Sequence, residues 1–275
     1  MLYRELFAAS LQQLKKAELS TAVEVLIEKA FAISRTQFWI KKNQPVTDPT
    51  GLKKYRRYFA RLLGDEPLAY ILKEKEFYGE RIAVSPAVLI PRPETELLVE
   101  KALELIGAGT PRVLDIGAGS GNISILLALR SRATLTAVDI SRPALRVLKK
   151  NVGRFGLGDR IRVRRADLFP GITEPFDLIV ANPPYLSRRD WDRLPPGIKF
   201  FEPRNALLAG PEGTETLARI IAGAGTHLSP AGHLLLEIGQ GQVRAVRSFL
   251  KAGQLREKER IRDYGDIDRV IVACR

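Results

Sequence analysis

The stretch VLDIGAGSGNISILLA, residues 113–128, constrains the fold of this chain more than any other. An apolar run of strand length is followed by three glycines at alternate positions and then by an apolar segment of helical length. From residue 94 onward, short apolar runs alternate with longer segments whose apolar residues recur at helical spacing. Such alternation predicts parallel strands joined by helical crossovers. Residues 94–275 are therefore predicted to form an α/β domain.

The first 75 residues have a different pattern. Apolar residues recur at helical spacing throughout 1–75 without a run of strand type, which predicts a small all-helical domain. Thr21 and Glu24 have the spacing of a capping box for its second helix. Residues 76–93 then carry two short extended runs with turn residues such as Gly79, and they predict a β-hairpin linker.

Six apolar runs of the larger domain predict strands: RVLDIG, TLTAVDI, RIRVRRAD, FDLIVAN, HLLLEIG and the C-terminal RVIVACR. The first five alternate with helical segments and are expected to be parallel. The last, residues 269–275, is expected to be antiparallel and to lie at the edge of the sheet.

Composition excludes several classes of protein. Cys274 is the only cysteine, so no internal disulfide forms, and two histidines without nearby ligand residues predict no metal site. No apolar run approaches the roughly 20 residues that a membrane helix needs, and the N-terminus lacks the charge pattern of a signal peptide. We therefore expect a cytoplasmic protein without a membrane partner. We also expect a monomer.

The net charge keeps a second kind of partner open. The chain carries 44 Lys and Arg against 31 Asp and Glu, a formal charge of +13 at pH 7. Fixed positive charge attracts phosphate backbones. The excess is shared, however, with 14 basic and 8 acidic residues in 1–75 and 30 and 23 in the remainder. Because solvated helix faces such as KKYRRYFAR explain this distribution, direct nucleic-acid binding is an alternative that is not favoured.

The glycine turn allows a ligand to approach the backbone. Gly117, Gly119 and Gly121 lack Cβ atoms, and the helix that follows them begins with free N–H groups. A dinucleotide fingerprint requires a further glycine where this sequence has Asn122. The spacing therefore disfavours a nicotinamide cofactor.

Two aspartates favour S-adenosylmethionine instead. Asp139 ends the second strand, where an acceptor-only side chain binds both ribose hydroxyls. Asp167 follows the third strand and is placed to accept from an adenine amine, with the Leu168 backbone N–H and side chain beside it. Since the carboxyl ends of parallel strands lie on one rim, these residues predict an adenosyl-cofactor pocket and hence a methyltransferase domain.

The tetrapeptide NPPY, Asn182 to Tyr185, follows the fourth strand and is expected on the same rim. Its prolines lack N–H groups and have a fixed φ, which makes the loop stiff. The Asn182 side-chain oxygen and the Pro183 carbonyl are two acceptors for a planar NH₂ group, and Tyr185 packs against that group. In isolation, the same residues serve equally well to end a strand and turn the chain.

Nearly the whole chain resembles the release-factor glutamine methyltransferases of the HemK/PrmC type. The resemblance rests on GDEPLAYI, EFYG, VLIPRPETELLVE, DIGAGSGNISI, AVDIS, NPPY, FEPRNALLAG and LEIGQGQ. It departs at Ala118, where threonine is common, and at Lys73, where glycine is frequent. NPPY alone is not specific, because methyltransferases that act on adenine amines share it. The PRPETE and EPRNAL stretches, together with the small helical domain, are more specific.

The resemblance implies a Rossmann-like, seven-stranded, mostly parallel methyltransferase sheet. It also implies methylation of the glutamine in the Gly-Gly-Gln motif of peptide chain release factors, with residues 1–75 docking that protein. The implied substrate residues are Asn182, Pro183, Pro184 and Tyr185. The implied cofactor residues are Gly117, Ala118, Gly119, Ser120, Gly121, Asp139, Asp167, Leu168 and Asn182.

Two rival interpretations stay open at this point. One is an adenine amino-methyltransferase that acts on DNA or RNA, which would have to extrude its base with only about 75 spare helical residues for recognition. The other is a binding module without catalysis. The roles of Arg92 and Thr95 near the site are also open, and Arg204 is expected either to contact substrate or to pair with a carboxylate such as Glu202.

Overall fold

The computed structural model describes residues 1–14, 19–169 and 171–275. The chain divides into two compact units, Met1–Lys73 and Glu74–Arg275. Among the described residues, no helix combines the length and the apolar character that a membrane crossing requires.

The first unit consists of helices around an aromatic core. They are α1 (Tyr3–Gln13), α2 (Ser20–Phe31), α3 (Arg35–Lys41), α4 (Pro49–Leu63) and α5 (Leu68–Leu72). Tyr55 on α4 is 1% exposed, and its hydroxyl lies 2.6 Å from Ser10 Oγ, so the polar atom of this core ring is paired. Asp48 caps α4 by accepting from the backbone N–H groups of Thr50 and Gly51.

The capping box predicted for the second helix is wrong. Helix α2 begins at Ser20, which places Thr21 inside the first turn, and no side chain caps this helix. Glu24 is instead buried and forms an ion pair with Arg35 at the start of α3. Glu24 thus pairs with an arginine of another helix and not with the start of its own helix, because burial makes an unpaired carboxylate costly. At the other end of the unit, Lys73 ends α5 with φ at +63°, a conformation that glycine adopts without strain.

The second unit begins with an antiparallel hairpin of β1 (Glu74–Phe77) and β2 (Glu80–Ala83). The main strands are β3 (Arg112–Ile116), β4 (Thr134–Asp139), β5 (Ile161–Arg165), β6 (Phe176–Ala181), β9 (Leu228–Glu237), β10 (Arg256–Arg262) and β11 (Asp268–Cys274). The helices are α6 (Thr95–Ile106), α7 (Asn122–Arg130), α8 (Arg142–Arg154), α9 (Arg188–Asp192), α10 (Pro196–Lys199), α11 (Glu215–His227) and α12 (Val243–Ala252). A small parallel pair, β7 (Leu186–Ser187) and β8 (Leu208–Gly210), lies after the NPPY segment.

The seven main strands form one sheet in the order β10-β11-β9-β6-β3-β4-β5. Strands β9, β6, β3, β4 and β5 are parallel, and β11 is antiparallel to both of its neighbours. The prediction of a seven-stranded, mostly parallel α/β sheet is therefore confirmed. Apolar residues of α6, α7 and α8 pack on one face, and those of α11 and α12 pack on the other.

The C-terminal strand is antiparallel as predicted, but it is not the edge. Strand β11 lies between β9 and β10, and β10 forms the edge. The segment REKERIR was not predicted as a strand, because most of its residues are charged. An edge strand is exposed on its outer side and needs little apolar side-chain surface. Four consecutive buried residues, Val270 to Ala273, show the two-sided burial of an interior strand.

The strand order fixes where a ligand binds. After β3, the chain adds β4 and β5 on one side and then returns to place β6 on the other side of β3. In open α/β sheets, ligands bind beyond the carboxyl ends of the strands at such a switch point. The glycine turn follows β3, Asp139 ends β4, and NPPY follows β6, so the three predicted segments share this rim.

Candidate active site

A cleft of about 270 Å³ opens at the switch point. The predicted residues that line it are Gly117, Ala118, Gly119, Ser120, Asp139, Asp167, Leu168, Asn182 and Pro184. The structure thus brings the glycine turn, both aspartates and the NPPY segment to one cavity. Gly121, Pro183 and Tyr185 are not among the residues that line this cavity.

The glycine turn requires glycine for two different reasons. All three of its glycines have φ between +54° and +83°, where side chains cause strain. At Gly121 space is also lacking, because a Cβ there would lie 2.2 Å from Leu148 Cδ1 of α8. The Gly119 backbone N–H donates to Asp139 Oδ2 at 2.9 Å, which ties the turn to the end of β4. Contacts with α8 and β4 therefore fix the backbone conformation of the turn.

Asp139 combines a rigid position with unused acceptor capacity. Its two carboxylate oxygens accept from the backbone N–H groups of Gly119 and Ser141. Burial raises its pKa, and these backbone donors partly oppose the rise. Each carboxylate oxygen has a further lone pair, so Asp139 is able to accept from a ligand hydroxyl in the cleft.

Asp115 is a buried residue of this region that the sequence analysis passed over. It is fully buried in β3 and accepts from the backbone N–H and the hydroxyl of Ser124 on α7. Burial raises its pKa to about 6, and the Ser124 hydrogen bonds oppose this rise. Asp115 thereby joins the strand before the glycine turn to the helix after it. The sequence signal was a single carboxylate inside an apolar strand.

The third strand supplies a more open side of the cleft. Asp167 is exposed, and its Oδ2 accepts from Arg219 of α11 at 2.8 Å. Leu168 follows with φ at +69°, so the chain turns sharply here and presents Leu168 to the cavity. The role of Asp167 toward adenine stays a prediction.

Asn182 has a buried hydrogen-bonding atom without a partner. Its Nδ2 donates to Thr95 Oγ1 of α6 at 3.0 Å, whereas its Oδ1 is buried and accepts from no described residue. An unpaired buried acceptor costs about 1–3 kcal/mol. Since Asn182 lines the cleft, its Oδ1 is an acceptor that a ligand N–H is able to reach.

Thr95 fixes the orientation of that amide. Thr95 is 1% exposed, and Thr95 and Asn182 both lie close enough to Glu237 at the end of β9 to lower the pKa of that carboxyl. The Thr95 hydroxyl accepts from Asn182 Nδ2, which donates only. Nδ2 is thereby held away, and Oδ1 becomes the amide atom available to a ligand. Thr95 lies near the site as expected, whereas no sequence pattern assigned a role to Glu237.

The rest of NPPY is held by the chain around it. Pro183 is buried, and the Tyr185 ring lies against Gly239, where a Cβ would be 3.1 Å from Tyr185 Cδ2. Gln242 Nε2 donates to the carbonyls of Tyr185 and Gly213, both at 2.9 Å. Burial raises the pKa of Tyr185, with the Glu237 carboxylate as a further cause. Gln242 therefore supports the loop, a role that its sequence motif did not reveal.

The PRPETE segment is joined to the EPRNAL segment by a buried ion pair. Glu202 has a side chain 1% exposed, and it accepts from Arg92 Nη2 and from the Ile90 backbone N–H. The expected alternative of an Arg204–Glu202 pair is therefore wrong. Arg204 instead lies over the Trp191 ring, with Cζ 5.8 Å from its centroid. Arg92 lines the cleft, and so do Asn205 and Ala206 of the EPRNAL segment that this ion pair holds.

Comparisons with known proteins agree with this geometry. The sequence model of the PrmC N-terminal domain matches residues 4–72, and that of the methyltransferase small domain matches residues 93–194. The release factor glutamine methyltransferase of Bordetella pertussis is 42% identical over 90% of this chain and 91% of its own length. The chain belongs to the release factor glutamine methyltransferase family. The family member of Nitratidesulfovibrio vulgaris is 37% identical over 96% of this chain and 92% of its own length.

Solved structures agree with this family on the fold. The hMettl16 catalytic domain superposes with a TM-score of 0.60 at 19% identity, over 75% of this chain and 79% of that one. A methyltransferase from Pyrococcus furiosus gives 0.55 at 18% identity, over 78% and 95%. Like its relatives in the family, this enzyme is an S-adenosylmethionine-dependent methyltransferase with a Rossmann-like sheet.

The cleft fits S-adenosylmethionine. Asp139 offers carboxylate oxygens for the ribose hydroxyls, and the glycine turn leaves room for a close approach to its backbone. Ile140 and Leu168 give the cleft apolar surface against which an adenine ring is able to pack. Among the described residues, no group of three or more His, Cys, Asp or Glu could hold a metal ion.

The ionisation of Glu237 is expected to make stability depend on pH. Burial raises its pKa from 4.5 to about 7, whereas Thr95 and Arg269 lower it. A carboxyl with a raised pKa in the folded state contributes most stability below its unfolded pKa, and that contribution is lost as the pH rises through about 7. Glu237→Gln removes this loss. We compare the free energy of unfolding of the variant with that of the parent. The variant's advantage over the parent is expected to be about 2–3 kcal/mol larger at pH 8 than at pH 5.

Urea denaturation at pH 5 and pH 8 measures this difference. Glu259→Gln is a matched control, because Glu259 is exposed and its partner Lys101 keeps a second ion pair with Glu104. The control is expected to change by less than about 1 kcal/mol at both pH values. An equal free-energy difference at both pH values for Glu237→Gln would contradict the raised pKa.

Proposed function

We propose that this enzyme transfers a methyl group from S-adenosylmethionine to the side-chain amide nitrogen of the glutamine in the Gly-Gly-Gln motif of peptide chain release factors. The observation that carries the proposal is the buried, unpaired Oδ1 of Asn182 in the lining of the cofactor cleft. A primary carboxamide supplies the N–H donor that this atom lacks. The names of the relatives supply the release factor as the protein that presents it.

The chemistry requires an amide nitrogen to act as a nucleophile. S-adenosylmethionine, when bound, supplies an electrophilic methyl group. A carboxamide nitrogen is weakly nucleophilic because its lone pair is delocalised, so the site has to hold both N–H bonds while the nitrogen pyramidalises. Asn182 Oδ1 accepts one N–H, and the Pro183 carbonyl accepts the other. Both hydrogen bonds strengthen as positive charge develops on nitrogen, so they favour the transition state over the bound substrate.

The surrounding residues keep these two acceptors in place before substrate arrives. Thr95 holds Asn182 Nδ2, and Gln242 holds the Tyr185 carbonyl. The prolines fix φ on either side of the carbonyl that the substrate uses. Such preorganisation avoids reorganising the acceptors at the moment of reaction. Tyr185 packs on the planar amide. No strong base is needed before methyl transfer, because the methylated nitrogen is acidic and loses one proton to water afterwards.

The helical unit, residues 1–73, is proposed to dock the release factor. Its match to the PrmC N-terminal domain supports this assignment. Trp39 and Ile40 on α3 are 44% and 72% exposed, which gives the unit apolar side chains on its surface. A substrate that acts in translation would place the enzyme in the cytoplasm.

Labelled S-adenosylmethionine tests the proposal directly. The full-length enzyme is incubated with a release factor, with the same factor carrying alanine in place of its motif glutamine, and with duplex DNA and RNA. Label is expected in the unchanged release factor alone, on the peptide that contains the glutamine. Label in nucleic acid would support the adenine alternative and overturn the proposal. Equal label in the alanine-substituted factor would place the methyl group elsewhere.

A further inference from the structure

The positive charge of this protein is concentrated on one edge of its sheet. Residues 140–166, which contain α8 and β5, hold nine Lys and Arg and one acidic residue, Asp159. This segment accounts for eight of the 13 net positive charges of the chain. The net charges of residues 1–75 and of the remainder are similar and do not reveal this concentration. Each of these ranges is much longer than the basic segment 140–166.

Seven of these cations form what we call the basic edge: Arg142, Arg146, Lys149, Lys150, Arg154, Arg162 and Arg164. All seven are exposed, and within the described residues none of them forms an ion pair. Arg142, Arg146, Lys150 and Arg154 recur every four residues, so they form one stripe along α8 of about 18 Å.

Strand β5 extends the charge around the edge of the sheet. It is the last strand of the sheet and packs against α8. Ile161 and Val163 pack with the core on the α8 face, so the alternating side chains of Arg162 and Arg164 lie on the opposite face. Cations therefore flank the open edge of the sheet on both sides.

The opposite edge of the same sheet is a useful contrast. Residues 243–275, which contain α12, β10 and β11, also hold nine Lys and Arg, but they hold five acidic residues as well. Arginines there are neutralised by ion pairs, among them Arg247–Glu257 at 2.6 Å and Arg269–Asp263 at 2.7 Å. Arginine content thus does not distinguish the two edges. What distinguishes them is that the basic edge has no acidic partners of its own.

We propose that the basic edge binds the phosphate backbone of RNA. Phosphate binding requires only cations, whereas a protein interface needs an apolar centre. Among the described residues of 140–166, Ile140 is the only large apolar side chain with more than a third of its surface exposed. A membrane surface would need the apolar face of α8, but Leu145 and Leu148 are buried against the sheet. The choice of RNA over DNA rests on the proposed function, since release factors act in translation.

The basic edge begins beside the cofactor cleft and runs away from it. Ser141 and Ala144, which flank Arg142 at the start of α8, line the cleft, whereas Arg146 and Lys150 do not. RNA on this edge would therefore hold the enzyme near its substrate without occupying the catalytic residues. Binding to RNA and methyl transfer are expected to be separable.

Fluorescence anisotropy with a labelled 20-nucleotide RNA hairpin tests the proposal on the full-length enzyme. The variant Arg146→Ala/Lys150→Ala/Arg162→Ala removes three cations of the basic edge. The matched control Arg244→Ala/Lys251→Ala/Arg256→Ala removes three exposed cations without an ion pair from the opposite edge. We expect binding to the hairpin to weaken at least tenfold for the first variant and less than twofold for the control. The slope of log affinity against log salt should flatten by about two for the first variant alone.

Three results would overturn the proposal. The first is that the parent enzyme shows no measurable binding to the hairpin at about 0.1 M salt. The second is that both variants lose affinity for the hairpin equally. The third is that polyglutamate binding depends on the basic edge as strongly as RNA binding does. In both variants, the rate of methylation of free release factor is expected to stay within twofold of the rate of the parent enzyme. Because the anisotropy measurement uses no methyl donor, failure of the proposed methylation would leave this readout intact.

Discussion

Replacing Asn182 with alanine is expected to lower the kcat for methylation of the release-factor glutamine about 100- to 1,000-fold, as loss of one preorganised hydrogen-bonding group does elsewhere. The substitution removes the acceptor Oδ1 and the donor Nδ2, which contacts Thr95 at 3.0 Å. The pocket formed by the glycine turn and Asp139 is unchanged. Steady-state kinetics at saturating S-adenosylmethionine measure the effect, and calorimetry measures the Kd of the cofactor.

Two substitutions at Thr95 separate orientation of the amide from simple packing. Thr95→Ser keeps the hydroxyl that accepts from Asn182, whereas Thr95→Val keeps the shape and loses it. We expect kcat to fall about tenfold for the valine variant, the equivalent of one hydrogen bond, and less than about threefold for the serine variant. Equal losses in the two variants would argue against a role for the hydroxyl. Full kcat in Asn182→Ala would contradict the proposed chemistry itself.

The second large effect is expected from Gly121→Ala, which should destabilise the fold by about 2–5 kcal/mol. Two costs add. An alanine at φ +83° is strained by about 1–2 kcal/mol. Its Cβ would also lie 2.2 Å from Leu148 Cδ1, and overpacking of a core contact costs about 1–3 kcal/mol. Urea denaturation gives the free energy of unfolding of the variant and the parent.

A double-mutant cycle distinguishes the steric cost from the backbone cost. Leu148→Ala removes the atom that the new Cβ would meet, so the double variant should be more stable than the sum of the single effects by about 1–3 kcal/mol. The strain at φ +83° remains. Gly153→Ala, also on α8, is the control, since nothing lies within 4 Å of its Cβ position. It is expected to stabilise the helix by about 0.5–1 kcal/mol. Strict additivity at Gly121 and Leu148 would exclude the clash.

Sequence reasoning succeeded where one local pattern dictates the structure. The glycine turn after β3, the carboxylate at the end of β4 and NPPY after β6 each follow a strand that is recognisable from its apolar run. Because parallel strands place their carboxyl ends on one rim, three separate motifs predicted one cleft. The same reasoning failed for β10, whose residues are mostly charged, and for the capping box at Thr21, where Glu24 found a partner on another helix.

The partners of the site residues could not be predicted, because they come from distant parts of the chain. Asn182 meets Thr95 across 87 residues of sequence, and Ile90 meets Glu202 across 112. No spacing rule connects such pairs. Glu237 lies in the LEIGQGQ motif, but that motif did not reveal its raised pKa, because the rise comes from burial in the folded chain.

The amino-acid sequence by itself determined the α/β class, the order of the motifs and the chemistry of their side chains, because each follows from local periodicity and residue type. Only the tertiary structure decided which side-chain atom of Asn182 is left without a partner and which edge of the sheet has cations without ion pairs. Both depend on what neighbouring elements place beside a side chain. A buried acceptor is unpaired only when every surrounding donor is already used, and a cation is free only when no carboxylate lies within reach.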